Sequence, residues 1–182
     1  MKKSMRKIGM WLAAVVVMSA APVAAQDAPL QVGVGYQFLH LSADGEGTSL
    51  PVGFNVDVAG PLTRSFSWVG ELGWAHDSDS EFGFDSSINA LHVAAGGRWS
   101  GQYNMNLTPY AQVLLGAQGD SGEFDDIEFE TEWNFLFQPG AGVTYSMGQW
   151  GVFGQVDYRR VFYEGQGANG FRFVAGARVN LP

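Results

Sequence analysis

The chain has 182 residues, room for one domain of ordinary size. Apolar residues make up 46% and charged ones 15%, which excludes a disordered chain, and 25 glycines with 14% aromatics favour short strands over a helical bundle. The lack of cysteine removes disulfide scaffolds, thiolate metal sites and cysteine nucleophiles, and the net charge of -8 argues against nucleic-acid binding.

The first element is an export address. Lys2, Lys3, Arg6 and Lys7 form a basic head, Met10 to Met18 a short apolar run, and Val23-Ala24-Ala25 a small-residue stretch before Gln26. That pattern predicts a signal peptide over residues 1–25, cleaved after Ala25, and one exported domain over 26–182. The run is too short and too soon followed by Pro22 to serve as a membrane anchor, and no cysteine precedes the cut for lipid attachment. Beyond it lie six arginines, no lysine and eighteen acids, a net charge of about -12.

From there the hydrophobic period is two. Leu30, Val32, Val34, Tyr36 and Phe38 alternate with Gln31, Gly33, Gly35 and Gln37. A second run sets Leu50, Val52, Phe54, Val56 and Val58 against Gly53, Asn55 and Asp57. The third opposes Phe66, Trp68, Gly70, Leu72 and Trp74 to Ser67, Val69, Glu71 and Gly73, and the fourth opposes Leu91, Val93, Ala95, Gly97 and Trp99 to His92, Ala94, Gly96 and Arg98. In the second half, Leu107 to Gly116, Trp133 to Tyr145, Trp150 to Phe162 and Phe171 to Leu181 repeat the scheme. Eight strands are predicted. Pro109 and Pro139 cannot donate to a ladder and are expected at a bulge or near a strand end.

Alternation alone also describes a soluble antiparallel sandwich or a periplasmic calyx for a small apolar ligand. The polar face argues otherwise. It is mostly Gly, Gln, Asn and Ala with near-balanced charges, Asp57, Glu71 and Asp157 against Arg98, Arg159, Arg172 and Arg178. That composition suits a closed interior where opposite charges pair, the glycines leaving room for guanidinium groups. On the apolar face the aromatics form two bands. Phe66, Trp68, Trp99, Tyr145 and Trp150 flank the short connections; Tyr36, Phe38, Trp74, Trp133, Phe135, Tyr158, Phe162, Phe171 and Phe173 flank the long ones. Two aromatic girdles around an aliphatic belt are what a bilayer selects. The single charge on this face, Arg160, lies ten residues after Trp150, and ten tilted residues climb roughly 25 Å, the height of the belt, so its head reaches the lipid headgroups.

The short connections are expected at 60–64, 100–106 and 146–149, and the long ones at 41–49, 77–87, 120–132 and 163–168. Acids crowd the long class, which orients the long loops outward from the cell and the short turns toward the periplasm. Asp77, Asp79 and Glu81 in one loop and Asp125, Asp126 and Glu128 in another are candidate weak Ca²⁺ or Mg²⁺ binders; Phe82 stands where an EF-hand loop needs glycine, so no defined metal site and no cofactor is predicted.

The opening Gln31-Val-Gly-Val-Gly-Tyr, the Gly140-Ala-Gly-Val-Thr-Tyr of the sixth strand and Phe171-Arg-Phe-Val-Ala-Gly-Ala-Arg-Val of the eighth resemble the small outer-membrane β-barrel proteins of Gram-negative bacteria, the OmpA-transmembrane-domain-like and opacity-protein-like barrels. The resemblance covers the mature chain and implies an eight-stranded antiparallel up-and-down transmembrane barrel in the outer membrane. It also implies contact with lipid and lipopolysaccharide, and with the barrel-insertion machinery during assembly. One departure stands out: the chain ends Asn180-Leu181-Pro182 where members usually end in an aromatic residue.

Eight strands leave a bore that side chains fill, so the expected role is non-enzymatic, with a host or envelope protein met through the loops. Asp57, Glu71, His92, Arg98, Asp157, Arg159, Arg172 and Arg178 are the expected polar network of that bore, with His92 beside Arg98 and Glu71. The alternative is a lipid A-modifying deacylase or acyltransferase. His40 with Ser42, and His76 with Ser78, share a face near the rim and could pair a base with a nucleophile. No orienting acid is placed by their spacing, and the histidine–serine motif of the deacylases is absent from the last strands.

Overall fold

A computed structural model describes residues 29–43, 46–81, 84–101, 106–124, 127–128, 132–163 and 167–181. The export segment at 1–25 lies outside them. The strands are β1 Leu30–Ala43, β2 Glu46–Leu50, β3 Val52–Pro61, β4 Phe66–Glu81, β5 Phe84–Ser100, β6 Leu107–Phe124, β7 Ile127–Glu128, β8 Glu132–Met147, β9 Trp150–Phe162 and β10 Gly167–Leu181. All pairings are antiparallel, in the order β1-β3-β4-β5-β6-β8-β9-β10. The ladder from Leu30↔Leu181 to Ser42↔Asn169 joins β10 back to β1. A sheet that closes on itself has no edge, and the backbone of the spanning part is paired strand to strand without water, apart from one interruption between β8 and β9. The fold is therefore an eight-stranded up-and-down barrel, with β2 extending the stave of β3 and β7 a short flap on β6.

The period-two pattern positions every side chain. Along β9, Gly151, Phe153, Gln155, Asp157, Arg159 and Val161 are buried in the bore, while Trp150, Val152, Val156, Arg160 and Phe162 point outward. On the outer wall Val34, Leu72, Val93, Val113, Leu115 and Val152 are about half exposed, as are the girdle residues Phe66, Trp99, Tyr145 and Trp150. An apolar belt running right round the molecule far exceeds the patch a soluble monomer tolerates in water, and it is the surface that hydrocarbon solvates.

Three features differ from the sequence expectation. Leu50 belongs inside, not on the lipid face: it is 1% exposed and packs with Leu39, Ala75 and Ala90. The cause is a bulge. The register runs Tyr36↔Phe54 on β3 but Leu39↔Leu50 on β2, so three residues of the second stave oppose two of β1. One extra residue at Pro51–Val52 reverses the facing of all that follows toward the loop, and the Tyr36 hydroxyl donates to the freed Pro51 carbonyl. Second, Pro139 lies in mid-strand. The β8–β9 ladder skips from Phe137↔Arg160 to Gly140↔Asp157 in unchanged register, so the ladder is interrupted where proline has no N–H to give, without a bulge. Pro109 sits near the start of β6, as expected.

Third, much of the long connections is strand. β4 and β5 remain paired out to Glu81↔Phe84, and β5 and β6 out to Ser86↔Phe124, so three strands continue as a sheet beyond the aromatic girdle. Once the lipid ends, ladder hydrogen bonds still stabilise the hairpin, and the alternation that marked strands in the sequence is no longer required. At the opposite end the β8–β9 connection is tight. Met147 pairs Trp150 across the two-residue turn Gly148-Gln149, and Gly148 has φ 73°, a left-handed conformation that glycine adopts without steric cost.

Candidate functional site

The bore is filled by side chains in layers. At mid-height the Arg172 guanidinium is the hub. It donates to Asp157 Oδ2 from Nε at 2.9 Å and to Glu71 Oε2 from Nη2 at 2.8 Å. Its Nη1 reaches Gln37 Oε1 at 3.2 Å, Asn55 Oδ1 at 3.1 Å and His92 Nε2 at 3.2 Å. Those partners come from β9, β4, β1, β3 and β5, so one side chain of β10 ties together five other strands across the bore.

Arg159 completes this layer. Its Nε and Nη2 donate to Gln138 Oε1 at 2.9 and 2.6 Å, and Nη1 to Gln118 Oε1 at 3.0 Å. Glu71 Oε1 accepts from Gln138 Nε2 at 3.0 Å and meets His92 Nε2 at 3.1 Å. Arg159 Nη1 approaches His92 Nδ1 at 3.4 Å. His92 Nε2 thus faces both the Glu71 carboxylate and Arg172 Nη1, and Nδ1 faces Arg159, so which ring nitrogen donates follows from the tautomer. Of the two neighbours expected for His92, the structure brings one into contact. Glu71 is there, but Arg98, six residues along the same strand, faces a different layer.

That second layer lies toward the short-turn end. Asp57 Oδ1 accepts from Arg98 Nη2 at 2.9 Å and from Arg178 Nη2 at 3.1 Å. Arg98 also holds Gln112 Oε1 through Nε at 3.0 Å and Nη2 at 2.9 Å, and Arg178 Nη1 donates to Thr144 Oγ1 at 2.9 Å. The Tyr110 ring lies against both guanidinium groups, 4.6 Å from Arg98 and 5.3 Å from Arg178, and the Phe153 ring lies 4.4 Å from Arg178. Tyr110 links the layers: its hydroxyl donates to Gln155 Oε1 at 2.8 Å, and Gln155 Nε2 donates to Asp157.

Inward glycines open bays for these groups, though chiefly for carboxylates and rings rather than for the guanidinium groups anticipated. A Cβ on Gly33 would overlap the Asp57 carboxylate, on Gly140 that of Asp157, on Gly73 the His92 ring and on Gly142 the Tyr110 phenol. Toward the long hairpins the polar filling gives way to an apolar cap of Leu39, Leu50, Ala75 and Ala90. Tyr163 packs against a separate apolar cluster that includes Leu114, Leu136 and Val161, and its hydroxyl donates to Asp120 Oδ2 at 2.7 Å, while Gln118 Nε2 donates to Oδ1 at 2.8 Å. Burial and the neighbouring Asp120 carboxylate raise the Tyr163 phenol above its ordinary pKa.

All eight residues proposed for the bore are therefore buried and within these layers. The neutral members that complete their hydrogen bonding, Gln37, Asn55, Gln112, Gln138 and Gln155, stood on the polar face of the sequence pattern, but nothing in the spacing named their partners. Gln118 and the Tyr163–Asp120 contact had no signal beyond burial. The rim histidines do not meet the serines proposed for them: His40 Nδ1 lies 2.9 Å from Ser49 Oγ, and His76 Nδ1 lies 3.0 Å from Asn89 Oδ1. Of the two candidate cation loops, only Asp77 has a described side chain; Asp125 and Asp126 lie outside the described residues, as do the side chains of Asp79, Glu81 and Glu128. Among the described residues no cluster of three or more metal-ligating side chains occurs.

Comparison with known proteins agrees with this architecture. Ail, the attachment invasion locus protein of Yersinia pestis, solved with the heparin analogue sucrose octasulfate, is 18% identical; the match covers 84% of this chain and 99% of that one with a TM-score of 0.61. Neisserial surface protein A is 12% identical over 84% of this chain and 97% of its own, with a TM-score of 0.66. A major outer membrane protein of Thermus thermophilus is 10% identical over 82% of this chain and 99% of that one, with a TM-score of 0.53. At such identities the likeness is one of fold. No curated protein matches the chain. The family model of the outer membrane protein beta-barrel domain matches residues 10–164, most of the chain, and on that match and the closed barrel the protein belongs to the outer membrane β-barrel family and resides in the outer membrane.

Proposed function

We propose that this protein is a non-enzymatic barrel whose bore is closed by its own side chains and whose role is exercised through acidic hairpins outside the cell. The observation that carries the closed bore is the reach of Arg172, which joins Gln37, Asn55, Glu71, His92 and Asp157 across the cross-section. An eight-stranded barrel has no lumen to spare around such a span. In planar bilayers the refolded protein is expected to show no sustained porin-like conductance; steady open channels would overturn this reading.

The surface role rests on charge and extension. β4, β5 and β6 project as a paired sheet beyond the girdle, and the connections at 77–87 and 120–132 carry acids and no lysine or arginine. Such a surface attracts cations and cationic partners and repels polyanions. Despite the likeness to Ail, these hairpins call for a partner opposite in charge to the heparin analogue solved with that protein: a basic host or envelope protein, or divalent cations that bridge the hairpins to lipopolysaccharide. Cells displaying the protein are expected to adhere to a polylysine surface more than cells lacking it, with the difference lost at about 1 M salt, where screening reaches roughly 3 Å. Preferential adherence to heparin would overturn the assignment. Against an enzyme stands the pairing of His40 with Ser49 and of His76 with Asn89, neither of which supplies an acid to orient the imidazole.

A further inference from the structure

The two charged layers differ in their balance. At mid-height Arg159 and Arg172 face Glu71 and Asp157, two charges against two. Toward the short turns Arg98 and Arg178 share one carboxylate, Asp57, and both contact the same oxygen. Every one of these groups is almost fully buried. Three buried side-chain N–H donors meet no acceptor among the described residues, and all three belong to this one layer: Arg98 Nη1, Gln112 Nε2 and Arg178 Nε. The layer thus combines one positive charge in excess with three unmet donors. Water could satisfy the donors, but it brings no charge to offset a guanidinium held in low dielectric; a small monovalent anion does both.

We propose that the short-turn half of the bore holds a halide ion, chloride in the cell, bound by Arg98, Arg178 and Gln112 beside Asp57. The rings of Tyr110 and Phe153 flank the guanidinium groups of this layer, 4.6 Å from Arg98 and 4.4 Å from Arg178. Access runs from the short-turn mouth, where a small pocket is lined by Gln31, Thr144, Ser146, Arg178 and Asn180 and narrowed by the Gln31–Asn180 hydrogen bond. The ion strengthens the plug rather than passing through it, because the Arg172 layer blocks the way beyond.

The test uses the full mature chain refolded in detergent micelles. Its unfolding midpoint is measured at constant ionic strength while sodium gluconate is replaced stepwise by sodium chloride or bromide. A ligand bound only by the folded barrel gives a rise that saturates with halide, and a shift of several degrees is expected for both halides. Gln112→Glu replaces the unmet donor with a carboxylate and supplies the missing charge, so this variant is expected to be as stable in gluconate as the parent in chloride and to have lost the response. Chloride-35 NMR of the unsubstituted protein gives a reading independent of any variant: line broadening that bromide competes away is expected. Equal midpoints in gluconate and chloride, or broadening that bromide leaves unchanged, would mean that water alone fills the layer and would sink the proposal.

Discussion

Glu71 and Arg172 stand 101 positions apart in the chain, and their side chains meet at 2.8 Å in the middle of the bore. Neither is exposed, and each has further obligations: Arg172 also holds Asp157, and Glu71 also receives Gln138. A buried ion pair of this kind stabilises less by its own attraction than by what its loss would strand. Arg172→Leu should therefore cost about 3–5 kcal/mol, because two carboxylates remain buried without that guanidinium. Replacing Arg159, Arg172, Glu71 and Asp157 together with apolar residues, which leaves no unpaired charge in the layer, should cost less than the single change. Urea unfolding in phospholipid vesicles, followed by tryptophan fluorescence, checks the ordering; equal or additive losses would show that the hub is not a unit.

The glycine bays give a second test. A methyl on Gly140 would overlap the Asp157 carboxylate, whereas one on Gly97 or Gly154 meets no atom within 4 Å. Gly140→Ala is expected to lower stability by about 1–3 kcal/mol, and Gly97→Ala to leave it within about 0.5 kcal/mol. The same unfolding assay separates them.

Position relative to the bilayer gives a third. Arg160 is exposed on the outer wall near Phe162, 5.1 Å from that ring, at the long-hairpin rim. Arg160→Leu should change the folding free energy in vesicles by less than about 1 kcal/mol, while Val113→Arg, in the aliphatic belt, should cost about 2–4 kcal/mol. Equal costs at the two sites would mean that the belt does not face hydrocarbon.

Tyr163 links stability to alkaline pH. Its phenol is raised in the folded state by burial and by Asp120, so the folded barrel keeps the proton to higher pH than the unfolded chain does. The stability this supplies is fully present below the ordinary tyrosine value of about 10 and is lost as pH climbs from there toward the raised value. Tyr163→Phe should be less stable than the parent near neutrality and should flatten the decline between about pH 9.5 and 11.5. Unfolding midpoints across that range decide the matter; parallel curves would show that the Asp120 contact does not form.

What could be read in advance followed from a rule that acts locally. Successive side chains of a strand point to opposite sides, so alternation sorted each residue to lipid or bore, and the aromatic bands marked where the lipid ends. That was enough for eight strands, for a closed antiparallel barrel, and for the inward facing of Asp57, Glu71, His92 and the four buried arginines. It failed where the local rule stops. Leu50 turned inward because Pro51 introduces one extra residue against β1, a matter of register between strands that periodicity within one strand cannot reveal. The strands continued past the girdle through Asp77 to Glu81 because a paired hairpin in water needs no apolar face. Which arginine meets which acid depended on the tilt and stagger of staves around the cylinder: Arg98 passed over Glu71 for Asp57, and Arg172 reached across to Glu71. Facing is a property of one strand, whereas contact is set by the closure of all eight, and only the closed barrel fixes it.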